Sequence, residues 1–75
     1  MKTTVDYNVT ISYNAGLLAT DQWFATEEEA RAFAEDYKAN FPDCDKYYTI
    51  TKYTTVKRFL KKEELTVERI ESWFE

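Results

Sequence analysis

Between Thr4 and Tyr13 the chain alternates without a break, with Val5, Tyr7, Val9, Ile11 and Tyr13 on one side and Thr4, Asp6, Asn8, Thr10 and Ser12 on the other. Period-two alternation of this kind predicts a half-buried strand over residues 4–13. Asn14-Ala15-Gly16 follows, and a three-residue loop with glycine in the left-handed position joins two strands of a hairpin. With Tyr13 set against Leu17, a second strand over 17–24 turns Leu17, Ala19 and Trp23 toward the core and Leu18 and Phe24 outward. A slip of one residue would exchange Trp23 for Phe24, because neighbouring strand residues face opposite ways.

The period then changes. From Thr26 to Asn40 the apolar positions Ala30, Phe33, Ala34 and Tyr37, continued by Phe41, recur at helical spacing, which predicts one buried stripe on an amphipathic helix. Thr26 and Glu29 form the pattern of a capping box, and three glutamates in the first turn suit the positive end of the helix dipole. Asn40 is suited to a left-handed cap, and Pro42 stops the helix. After the turn at Asp43-Cys44-Asp45, residues 46–59 are rich in Tyr, Thr, Ile and Val and predict a third strand. Lys52 interrupts the face shared by Tyr48, Ile50 and Val56, so a bulge near Lys52-Tyr53, or a strand that outruns its sheet, is expected. Leu65 and Ile70 flank Thr66 as a hydrophobic staple around an N-cap, predicting a short helix over 67–74 anchored by Trp73 or Phe74.

The expected fold is therefore α+β, a single ββαβα domain over residues 1–75. Its three-stranded sheet has the order 2-1-3, the main helix covers one face, and a short C-terminal helix docks beside it. The uncovered face would carry Thr4, Thr10, Thr49, Thr51 and Thr55, with surplus aromatics such as Tyr47, Tyr53 or Phe24 making it partly apolar.

Composition narrows the chemistry. Seventy-five residues leave room for one small core, and the 17% aromatic content supplies the large side chains that such a core needs. With a single cysteine no intramolecular disulfide can form, and no apolar run suggests a leader or a membrane span, so a cytoplasmic protein is the expectation. No histidine is present, which removes the commonest general base and the histidine-containing nucleophile pairs and metal sites. One glycine cannot build a phosphate-cradling loop, and one cysteine cannot build a structural zinc site. No catalytic residue, cofactor or metal is expected. Asp43 and Asp45 beside Cys44 read as a solvated turn, and Cys44 as a small half-buried residue.

Charge is divided by segment. Residues 26–45 carry two basic side chains against seven acids, and residues 46–62 carry six basic side chains and no acid. Glu28 and Glu35, and likewise Glu29 and Asp36, fall seven apart on the helix, with Ala32 and Ala39 between them, and form an acidic ridge on its outer face. That ridge points to a non-enzymatic module that binds a basic groove on a protein partner, with fast, salt-sensitive association. Small, acidic, motif-free proteins of this kind are often inhibitors or adaptors, including those carried by phages and mobile elements. Two alternatives stand beside it. Tyr47, Lys52, Tyr53 and Arg58 on the third strand are residue types that stack bases and contact phosphates in single-stranded nucleic acid, although the pI near 4.8 disfavours it. A structural homodimer through the uncovered sheet face or a strand edge is the other.

Overall fold

A computed structural model of the chain describes residues 2–13, 16–42, 45–57 and 62–74. Four strands and one helix follow in the order β1 (Lys2–Tyr13), β2 (Leu18–Phe24), α1 (Glu27–Asn40), β3 (Lys46–Lys57) and β4 (Glu64–Phe74). The strands form one sheet in the order β2-β1-β3-β4 with every neighbouring pair antiparallel. This corrects the expected three-stranded, two-helix arrangement: the chain is ββαββ with a single helix.

The segment expected to be a C-terminal helix over 67–74 is part of strand β4. Its apolar residues Val67, Ile70 and Phe74 have helical spacing only because a bulge interrupts the strand. Ile50 pairs with Glu71 and Thr51 with Arg69, so Ile70 is an extra residue on β4. The insertion changes the face on which later side chains fall. A two-turn helix has little stability of its own, whereas pairing along β3 satisfies the backbone groups on the side of the segment that faces β3. No bulge occurs near Lys52-Tyr53 against β1, where β3 is in register from Lys46 to Lys57.

The hairpin closes through Tyr13 N–H to the Leu17 carbonyl and Gly16 N–H to the Tyr13 carbonyl, both 2.8 Å, with Gly16 at φ +88°. That φ explains the glycine, since a side chain there would be strained. A second bulge follows at once. Ser12 pairs with Leu18 but Ile11 pairs with Thr20, leaving Ala19 as an extra residue. The bulge exchanges Trp23 and Phe24, while Ala19 keeps its expected place against the core and Leu18 its outward one: Phe24 packs into the core, and Trp23, expected inside, is 56% exposed on the other side. Leu17, also expected inside, is exposed as well.

Helix α1 forms as its caps dictate. Thr26 Oγ1 accepts from Glu29 N–H at 3.2 Å, and the Thr26 hydroxyl donates to the Glu29 carboxylate at 3.0 Å. Asn40 is the last helical residue, and Phe41 is the cap, its N–H donating to the Tyr37 carbonyl. The core is small. Val9, Ile11, Tyr48 and Ile50 from the sheet meet Ala30 and Ala34 from α1, all at most 2% exposed. Tyr7, Phe24, Phe33, Tyr37, Ile70 and Trp73 close around them, with Tyr48 and Trp73 stacked at 5.1 Å. Phe41, expected in the buried stripe, is half exposed and leans on Tyr37.

Length decides how much of the sheet α1 can cover. Its 14 residues span about 21 Å, whereas the 12-residue strands β1 and β3 span about 40 Å. The end of the sheet beyond β2 therefore lies past the reach of α1. This extension comprises residues 2–6, 53–57 and 64–67, beyond the pairing of Phe24 with Tyr7 that ends β2. It makes the molecule long, with extents of 50 × 23 × 16 Å.

Candidate functional site

Two surfaces stand out, one on each side of the sheet. On the outer side of α1, Glu28, Glu29, Glu35 and Asp36 are all exposed, as are Ala32 and Ala39 between them. The structure thus brings the four carboxylates onto one low-relief ridge, opposite the buried stripe of Ala30 and Ala34. They do not all have the same freedom, since Glu29 is engaged with the Thr26 hydroxyl at the helix start. Arg31 lies outside the ridge chemistry. Its guanidinium pairs with Glu27 at 2.9 Å and with Glu71 of β4 at 2.7 Å, and these bonds, Glu71 first, raise its pKa above the ordinary value. Glu28, Glu35 and Asp36 take part in no ion pair among the described residues.

The open sheet face can be read from the register. Since Val9, Ile11, Tyr48 and Ile50 point toward α1, the even residues of β1 and the odd residues of β3 point away. Cross-strand rows then run Leu18–Ser12–Tyr47–Phe74, Asp21–Thr10–Thr49–Ser72 and Trp23–Asn8–Thr51–Arg69, followed on the extension by Asp6–Tyr53–Val67, Thr4–Thr55–Leu65 and Lys2–Lys57. Large apolar side chains are exposed along it: Leu18 61%, Trp23 56%, Tyr47 44%, Phe74 50%, Val67 55% and Leu65 60%. Trp23 reaches across β1 to pack on Tyr53, ring centroids 5.0 Å apart. Beneath this pair Asn8 is 6% exposed and donates to Asp21 and, at 3.3 Å, to the Gln22 carbonyl, while the Thr10 hydroxyl donates to its side-chain oxygen.

Charge separates by layer. The open face holds Lys2, Lys57 and Arg69 against Asp6 and Asp21, net +1. Helix α1 holds Arg31 and Lys38 against five acids, net −3. The helix side of the sheet adds Lys46 and Lys52 against Glu64, Glu68 and Glu71, net −1. Segment by segment, the chain had suggested a basic strand between acidic flanks. In the folded molecule β3 sends its charges to both sides.

This split bears on the expected nucleic-acid residues. Tyr47 and Tyr53 lie on the open face, but Lys52 lies on the helix side, paired with Tyr7 and Glu68. Arg58 lies outside the described residues, as do Asp43 and Cys44 of the acidic turn. Tyr47, Lys52 and Tyr53 share strand β3 but do not share a surface. Tyr53, moreover, spends one ring face on Trp23.

Two clefts flank α1 among the described residues: one of about 300 Å³ at its C-terminal end, lined by Glu35, Lys38, Ala39, Phe41, Pro42, Lys46 and Tyr48, and one of about 380 Å³ between Arg31, Glu35, Glu71 and Trp73, so Glu35 borders both as well as the ridge. Lys46 is only 2% exposed, and its ammonium donates to the Phe41 carbonyl. A cation at this position complements the negative end of the helix dipole and satisfies a terminal carbonyl. Its chemistry is that of a cap. Nearby, burial and then the adjacent Tyr13 push the Tyr37 phenol pKa above its ordinary value.

Among the described residues no three Cys, Asp or Glu side chains are grouped so as to hold a metal ion, and no helix is long and apolar enough to cross a membrane. Trp23, Val67, Leu65 and Phe74, like Leu17, are exposed residues that the sequence pattern assigns elsewhere. Trp23 had been placed in the core, Val67 and Phe74 in a helix, and Leu65 in its staple. The chain matches no family model, no curated protein and no solved structure.

Proposed function

We propose that this chain is a non-enzymatic protein-binding module that engages a basic surface of a partner protein through the acidic ridge of α1. One observation carries the reading. Glu28, Glu35 and Asp36 face solvent with no ion pair among the described residues, while neighbouring Arg31 is committed to Glu27 and Glu71. Glu35 and Asp36 lie beyond the first turn, where the helix dipole favours Glu28, so their repulsion has no compensating contact inside the fold, and a cationic partner would supply one. Ala32 and Ala39 keep the ridge low, so a complementary groove can approach the helix closely. An inhibitor or adaptor that occupies a partner's basic groove would work in this way.

The test compares variants for capture of partners from a native cell extract. Glu28→Lys, Glu35→Lys and Asp36→Lys together should lower capture at least about tenfold, as should raised salt, because exposed charges are screened beyond a Debye length of about 8 Å. Reversal of Glu63, Glu64 and Glu68, which changes net charge equally, should leave capture intact. Circular dichroism checks that each variant is folded. Retention of the wild-type partners by the ridge-reversed chain would contradict the reading.

A further inference from the structure

The face opposite α1 has the composition and extent of an interface, and its rows complement themselves. We infer that two copies of this chain pack open face to open face about a two-fold axis that runs along the strands between β1 and β3. The product is an eight-stranded sandwich with both helices outside. It uses the side of the sheet away from the acidic ridge, so it stands or falls separately from the reading above.

Such an axis sets β2 over β4 and β1 over β3; the four-residue rows meet their own reverse, whereas on the extension β1 meets β3 and Leu65 and Val67 of β4 stay uncovered, because β2 ends at Phe24. Trp23 then faces Arg69, a cation over an indole ring. Leu18 faces Phe74, and Asp6 faces Tyr53, whose hydroxyl can donate to the carboxylate. Like charges meet only where Lys2 faces Lys57, at the exposed far end of the extension. Aligned sandwiches hold their strands within about 30° of each other, which separates the corners of the two sheets and relieves that last row.

Area and charge favour this partner. The broad side of the molecule measures 50 by 23 Å, more than enough for the roughly 800 Å² per partner of a stable interface. Its exposed Trp, Tyr and Phe are the types enriched at interface centres. The open face carries net +1, whereas the side bearing α1 carries net −4, so two copies meet through their least charged sides. Their acidic ridges end up on opposite outer surfaces, with two slabs 16 Å thick between them and a Debye length of about 8 Å. Edge-to-edge pairing through β4 is the weaker route, because the bulge at Ile70 and the charges of Glu68, Arg69 and Glu71 interrupt that edge.

Sedimentation equilibrium from about 1 µM to about 1 mM follows self-association with dissociation constants in the micromolar range. The expected result is a rise from the 8.9 kDa of one chain toward twice that mass. Trp23→Glu and Phe74→Asp should each raise the dissociation constant at least about 30-fold, the scale of an interface hot spot. Glu35→Lys should leave it unchanged. Dilution of the wild-type chain, followed by NMR, supplies a readout that needs no variant: shifts should concentrate at the Trp23 indole and at Tyr47, Arg69 and Phe74. A single-chain mass throughout, a dimer that survives both substitutions, or dilution shifts confined to α1 or absent would each overturn the inference.

Discussion

The two sides of this sheet are built from the same strands and contrast in almost everything else. Toward α1, Val9, Ile11, Tyr48 and Ile50 are at most 1% exposed. On the other side Trp23, Tyr47, Val67 and Phe74 are 44% to 56% exposed, although they are no less apolar. Burial here follows from what lies above a side chain, not from its residue type. The described residues supply one helix, and its 14 residues cover one side of part of the sheet. The stability of the fold should therefore reside on the covered side, and the open side should be available to partners.

Substitutions on the covered side should have the largest effects. Ile50→Ala removes a fully buried side chain and should cost about 2 to 5 kcal/mol, most or all of the few kcal/mol that so small a domain possesses. Urea unfolding monitored by circular dichroism should find the variant largely unfolded without denaturant. A wild-type midpoint would break the contrast between the two faces.

A smaller effect should appear at alkaline pH. Burial first, and then Tyr13, raise the pKa of Tyr37 above its ordinary 10.0. The folded chain thus holds the phenolic proton more tightly than the unfolded chain does. This contribution to stability is complete below pH 10 and is lost as pH rises through the folded pKa. Melting temperature should fall on that alkaline limb, and Tyr37→Phe should flatten the fall. An unchanged limb in the variant would remove Tyr37 from the account.

The elements legible in the sequence are those specified by local chemistry. Helix α1 could be read because Thr26, the Ala30–Phe33–Ala34–Tyr37 stripe and Pro42 all act within a few residues of the backbone they organise. Strand β1 could be read from its unbroken alternation. Strand β4 could not, because its support is pairing with β3 rather than its own residues, and because the extra Ile70 gives Val67, Ile70 and Phe74 a helical spacing. The extra Ala19 likewise sent Trp23 to the open face and Phe24 to the core. Both errors come from single-residue bulges, which invert every later side chain while leaving composition untouched. The acidic ridge was legible because helical periodicity alone places Glu28, Glu29, Glu35 and Asp36. The open aromatic face was only partly so, since Trp23 and Phe74 join Tyr47 and Tyr53 there through pairings that no local pattern encodes.

Val9 and Val67 offer the most direct test of this division, because they are the same residue in the same kind of structure on opposite sides of the sheet. Val9 is 0% exposed and Val67 is 55% exposed. Threonine is nearly isosteric with valine and equally suited to strands, so Val→Thr isolates the cost of placing a hydroxyl at each position. Urea unfolding at a protein concentration low enough to keep the chain monomeric gives both free energies. Val9→Thr should lose about 1 to 3 kcal/mol, the cost of burying a hydroxyl. Val67→Thr should stay within about 0.5 kcal/mol of wild type, as exposed substitutions do. Equal losses at the two positions would contradict the claim that the fold is held from one side.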